Sequence, residues 1–121
     1  MGASFFKKVI MNIQFSNKFY KCTIRGRLGT LGLSPNAVKA LQLTNKTYVK
    51  FGTNKDDPKD KNFYMQVCSD KDQFKINSCG NYYYINIKPL LDFYEIDYSK
   101  SIHCVINLEN KSEKLYKVRM L

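Results

Sequence analysis

Along most of this chain apolar and polar positions alternate with a period of two, and β-branched and aromatic residues crowd each run. That is the signature of strands with one face buried. The runs "KKVIMNIQF" (7–15) and "KFYKCTIRG" (18–26) flank Ser16-Asn17, which predicts a hairpin turn pairing them antiparallel. "RLGTLGL" (27–33) continues as a strand weakened by Gly29 and Gly32, where a bulge or a close backbone approach is expected. The period then changes. Ser34 reads as an N-cap, Pro35 as the first helical residue, and Ala37, Val38, Ala40 and Leu41 as the apolar stripe of a helix running through Gln42. A helix of barely two turns is unstable alone and must lie on an apolar support. "KTYVKF" (46–51), the polar loop "TNKDDPKDKN" (53–62) and the strand "FYMQVC" (63–68) finish this half.

The second half follows the same plan. "FKINSCGNYYYINI" (74–87) gives two strands broken at Cys79-Gly80-Asn81, with Tyr83 pointing opposite to Tyr82 and Tyr84. "KPLLDFYEI" (88–96) gives a second short helix with Pro89 at its start and Leu90, Leu91, Phe93 and Tyr94 as its apolar face. "SKSIHCVINL", the polar turn "ENKSEK" and "LYKVRML" complete the chain. Setting Leu43 against Ile96 brings Ala37 opposite Leu90, Val38 opposite Leu91, Val49 opposite Ile102 and Phe51 opposite Cys104; a one-residue gap also aligns Pro35 with Pro89. We read a single domain over 1–121 holding two degenerate repeats, approximately 18–68 and 73–121. Each is a strand, strand, helix, strand, strand unit, and packing the two together closes a common core. The expected fold class is mainly β with two short helices (α+β), an internally duplicated small β-barrel.

Charge adds the strongest functional hint. The formal net charge is +10, and every acid lies at or beyond Asp56. Residues 1–55 hold ten Lys and Arg and no Asp or Glu, whereas ten acids balance ten bases in the remainder. The alternative is lysine richness for solubility or from an A+T-rich coding genome, which 17 Lys against 3 Arg would fit. That does not account for 55 residues without one acid. An excess confined to one half points to a face for a polyanion, of which nucleic acid is the commonest.

Other chemistry is sparsely represented. Cysteines at 22, 68, 79 and 104 form no CxxC pair, and His103 is the only histidine, so no zinc site is expected; the four thiols are expected free and mostly buried. His103 lies inside an apparent strand, where a hydrogen-bonded structural role is expected. No phosphate-cradling GxxxxGK[ST] segment occurs, and Asp56, Asp57 and Asp60 lack calcium-loop spacing. No enzyme activity, cofactor or metal is therefore expected. No apolar run approaches the roughly 20 residues of a membrane span, and the first residues lack a secretory pattern, so the expectation is a cytoplasmic protein.

"GRLGTLGLSPNAVKALQLTNKTYVKF" resembles the AbrB/SpoVT/MazE family of swapped-hairpin DNA-binding domains. The resemblance falls on Gly29, Leu31, Leu33, Pro35, Val38, Leu41, Leu43 and the strand Tyr48 to Phe51, about 30 residues with a weaker echo in the second half. It implies a barrel of interleaved hairpins that grips duplex DNA with basic residues on strands and loops beside the signature. Three departures stand out: an extra residue between Gly29 and Pro35, "TNKT" in place of a Gly-Asp turn, and a second copy without net positive charge. The residues permit such a barrel within one chain or between the two chains of a homodimer.

These readings converge on a DNA-binding protein, a transcription regulator or DNA-organising protein. Lys21, Arg25 and Arg27 are the central contacts, on one strand face with Thr23 between them, and Lys18, Lys39, Lys46 and Lys50 add outer phosphate contacts. Neutralising about six phosphates would give a salt slope near −5. Two alternatives stay open. Aromatics such as Tyr82, Tyr83 and Tyr84 could stack bases of single-stranded DNA or RNA beside a basic groove. The basic half could instead dock an acidic protein, as in a structural or interaction module of a phage or mobile element.

Overall fold

The computed structural model describes residues 20–121, in which eight strands and two helices follow one another as β1 (Tyr20–Arg25), β2 (Thr30–Leu33), α1 (Pro35–Ala40), β3 (Tyr48–Gly52), β4 (Phe63–Cys68), β5 (Phe74–Cys79), β6 (Tyr82–Asn86), α2 (Lys88–Phe93), β7 (Ile102–Asn110) and β8 (Leu115–Met120). The strands close into a barrel in the order β1-β2-β6-β5-β3-β4-β8-β7, every neighbouring pair antiparallel. The fold is thus mainly β with two short helices. Alternation sends one side of each strand inward: Cys22 and Ile24, Leu31 and Leu33, Val49, Phe63 and Met65, Ile76, Ile85, Cys104 and Ile106, and Val118 are all buried. They fill the interior, and no polar or charged residue among those described is buried with them. Side chains fill the interior of a barrel of this size. The candidate site is sought on the outer wall and at the two ends.

Hairpins from the two halves alternate around the ring: β1–β2, β5–β6, β3–β4, β7–β8. Exchanging β1–β4 with β5–β8 leaves the order unchanged. All four seams between hairpins, β2 with β6, β5 with β3, β4 with β8 and β7 with β1, join one half of the chain to the other. Closure uses the strands of one chain, so a second copy is not needed to complete the barrel. The seams are unequal: β1 and β7 share the five pairs from Tyr20↔Ile106 to Ile24↔Ile102, while β3 and β5 share only Tyr48↔Lys75 and Val49↔Phe74.

Local chemistry explains the elements and the departures from expectation. The Ser34 hydroxyl accepts from the Ala37 amide (3.2 Å), capping α1 with Pro35 in its first turn. The helix stops at Ala40, before Gln42, because Gln42 adopts φ 55° and the Leu43 amide returns to the Val38 carbonyl (3.0 Å). Ala40 faces solvent rather than joining the apolar stripe; Ala37 and Leu41 carry the burial. In α2, Leu90 and Leu91 seal the opposite barrel end, but Phe93 is 78 % exposed and Tyr94 39 %. Six residues present only one face to the barrel, and the following turn runs past its rim. Residues 26–29 form a turn rather than the start of a strand, with Gly29 at φ 67°. The expected strand 7–15 and the Ser16-Asn17 turn lie outside the described residues; both edges of β1 are occupied by β2 and β7. Cys22 and Cys104 are buried and face each other across the β1–β7 seam, whereas Cys68 is half-buried and Cys79 exposed. The four free thiols are therefore evenly divided rather than mostly buried.

Candidate nucleic-acid interface

With Cys22 and Ile24 inside, Lys21, Thr23 and Arg25 stand on the outer face of β1. Next to them, Gly32 of β2 pairs with Thr23 on one side and with Tyr84 of β6 on the other. Having no side chain, Gly32 leaves a low place in the wall. The Tyr82 side chain lies over it, and a Cβ built on Gly32 would come within 2.5 Å of the Tyr82 hydroxyl oxygen. Tyr82 stacks on Tyr84 with ring centres 5.6 Å apart and planes 21° off parallel, while the Arg25 guanidinium sits 5.5 Å from the Tyr82 ring centre. Tyr83 turns inward to pack on the core, as alternation requires. The result is an open groove of about 410 Å³ lined by Lys21, Thr23, Arg25, Gly32, Tyr82 and Ser101 among others. A larger groove of about 540 Å³ beside α1 is mainly apolar, with Lys39 its one charged lining residue.

The electrostatics of this wall are one-sided. Strands β5, β6, β2 and β1, adjacent in that order, contain Lys75, Arg25 and Lys21 and no Asp or Glu. The opposite wall, β3, β4, β8 and β7, carries Lys50, Lys117 and Arg119 together with Glu109, and its Lys117 pairs with Asp60 of the loop before β4 (3.7 Å), which also accepts from the Tyr64 hydroxyl (2.6 Å) and the Asn62 amide (3.0 Å). The Tyr64 hydrogen bond, more than the Asn62 amide or Lys117, holds the Asp60 carboxyl down at about 2. Inside the barrel, where both cysteines belong to the core, the hydrogen bond that Cys22 donates to Cys104, together with burial, pushes the Cys22 thiol far up.

Of the seven basic residues expected to form the site, the six that are described do not stand together. Lys21 and Arg25 share the groove. Arg27 does not share their face: it sits in the β1–β2 turn at φ 68°, its amide donating to the Tyr98 carbonyl (2.6 Å). A turn has no period of two, so the alternation ends at Arg25. Lys39 on α1 and Lys46 in the following turn are exposed at the end where β2 finishes, away from the β1–β2 turn. Lys50 is on β3, four strands from β1 in either direction around the ring, and so lies on the opposite wall. Lys18 falls outside the described residues. The sequence reading omitted Lys75, and it named Tyr82 and Tyr84, together with Tyr83, only under the single-strand alternative. The tyrosine alternation was a readable signal for the pair; the seat above Gly32 depends on β2–β6 pairing.

His103 lies in β7, opposite Thr23, with an exposed side chain. Among the described residues no cluster of three His, Cys, Asp or Glu could hold a metal ion, and no helix is long and apolar enough to cross a membrane. No protein-family model, curated protein or solved structure matches this chain.

Proposed function

We propose that this chain is a non-enzymatic nucleic-acid-binding protein that takes DNA on the wall formed by β5, β6, β2 and β1. The observation that carries the reading is the placement of Lys21, Arg25 and Lys75 on four adjacent strands that contain no carboxylate. Cations on a rigid sheet attract phosphates without the entropy cost of ordering a loop, and the absence of acids leaves that attraction uncancelled. Duplex DNA is the target implied by the family resemblance and by charge. A single strand is the second reading, and the stack of exposed Tyr82 on half-buried Tyr84 beside the cations favours it. An acidic protein remains the rival partner for the same charges.

An electrophoretic shift with random duplex, a single strand of equal length and an acidic competitor protein, each at two salt concentrations, tests this. Nucleic-acid binding that weakens steeply with salt supports the proposal. Binding to the acidic protein alone overturns it.

A further inference from the structure

We propose that the groove above Gly32 is a seat for one unpaired base, so that the preferred ligand of this wall is single-stranded nucleic acid; this rests on the nucleic-acid reading above. Three features converge on it. First, Gly32 has Thr23 and Tyr84 as its neighbours in register, and its missing side chain lets the Tyr82 ring lie against the wall between them. Second, the ring is accessible and already accepts flat partners: Tyr82 is 37 % exposed, stacked on Tyr84, with the Arg25 guanidinium 5.5 Å from its centre. Third, Lys21 and Arg25 line the same groove as Tyr82, placing positive charge where the phosphates on either side of a seated base would run.

The groove volume of about 410 Å³ lies in the range of about 300 to 1,000 Å³ usual for small-molecule clefts. A base takes the position of the guanidinium against Tyr82, and Arg25 turns from the ring to the phosphate. Bases within a duplex already have both faces covered by their neighbours, so only an unpaired base can offer a face to Tyr82. Stacking of this kind is indifferent to base identity, because every base has a flat face. The wall is thus suited to holding a strand without reading its sequence.

The test is fluorescence anisotropy with labelled oligothymidylate, a labelled duplex of equal length and an abasic chain of the same phosphate number, using the full chain and its Tyr82→Ala, Tyr82→Phe and Gly32→Ala variants. We expect oligothymidylate to bind more tightly than the duplex. Tyr82→Ala should weaken it about 10- to 100-fold while leaving the abasic chain unaffected, and Tyr82→Phe should keep wild-type affinity. Gly32→Ala, whose methyl would meet the Tyr82 hydroxyl, should weaken oligothymidylate binding as well. Thermal melts establish that each variant is folded, and the phenylalanine variant separates loss of the ring from loss of the hydroxyl. Equal affinity of wild type and Tyr82→Ala for oligothymidylate, or preference for the duplex, overturns the base seat while leaving nucleic-acid binding intact. No binding to any of the three probes overturns both.

Discussion

Gln42 and Glu95, 53 positions apart, occupy the same place after the two helices: each has a left-handed backbone, φ 55° and 56°, and each is followed by an amide that donates to a carbonyl five residues back, Leu43 to Val38 (3.0 Å) and Ile96 to Leu91 (2.9 Å). The shared turn sends the chain from each helix toward the next strand. Left-handed backbone is costly for any residue with a Cβ, and glycine is the usual solution at this position. Glycine also makes the unfolded chain freer, which offsets part of the gain. Gln42→Gly and Glu95→Gly should each stabilise the fold by about 0.5 to 1 kcal/mol, and Gln42→Val should destabilise it by about 1 kcal/mol, as read by chemical denaturation.

Two glycines with almost the same backbone angle should respond differently to alanine. Gly29 (φ 67°) packs against α2, and a Cβ there would lie 2.9 Å from the Lys88 Cβ and 3.1 Å from its Cα; around Gly80 (φ 62°) nothing lies within 4 Å. Gly80→Ala therefore incurs backbone strain alone, about 1 kcal/mol, and Gly29→Ala adds a collision with the start of α2, for about 2 to 4 kcal/mol. Equal melting temperatures for the two variants would show that α2 yields freely.

Interleaving makes each half dependent on the other. Cut in the loop 69–73, the chain yields two pieces in which no hairpin keeps a neighbouring hairpin, because every seam between hairpins crosses between the halves. Isolated hairpins are marginal at best in water. Each piece alone should be unfolded by circular dichroism, and mixing them should restore the spectrum of the intact chain. A fragment that folds by itself would contradict the strand order.

Features decided by neighbouring residues are legible in the sequence. Ser34-Pro35 announces a helix, Gly80 marks a turn, and the alternation from Lys21 to Arg25 places three side chains outside because Cys22 and Ile24 are apolar. Features decided by distant pairing are not. Nothing in "TLGL" names β6 as its partner, so the glycine that lowers the wall cannot be matched in advance to the tyrosine that lies over it. Arg27 is misplaced when a strand pattern is carried through the residues that reverse the chain. Phe93 misleads for another reason: a large apolar residue reads as core, but α2 is too short to turn that position toward the barrel. Lys50 shows the limit of counting charge along a chain, since nearness in sequence to β1 becomes opposite walls in a ring.

Asp60 makes part of the stability depend on acidity. Its folded-state carboxyl is held at about 2, first by the Tyr64 hydroxyl and then by the Asn62 amide, against an ordinary value near 4. A lowered value means that the stabilisation is complete above about pH 4 and disappears as the pH falls toward 2, where the folded state must also take up the proton. Urea denaturation across that interval should show the wild type losing stability more steeply than Asp60→Asn. Tyr64→Phe, which removes the largest cause of the lowered value, should flatten the curve in the same direction. Identical curves for all three proteins would place the acid sensitivity elsewhere.

The ring arrangement turns Lys50 into an internal control for the proposed wall. Lys21 and Lys75 stand on strands of the acid-free wall, and Lys50 stands on the far side. On a single strand each neutralised phosphate contributes about 0.7 to the fall of log K with log salt, so Lys21, Arg25 and Lys75 together give a slope near −2, against about −4 for six contacts on the same strand. Lys21→Ala and Lys75→Ala should each make the slope shallower by about 0.7 and weaken binding at low salt; Lys50→Ala should change neither. Binding titrations at four salt concentrations give these slopes directly. If Lys50→Ala moved the slope as far as Lys21→Ala, the bound strand would have to contact both walls, and the surface from β5 to β1 would no longer account for the affinity.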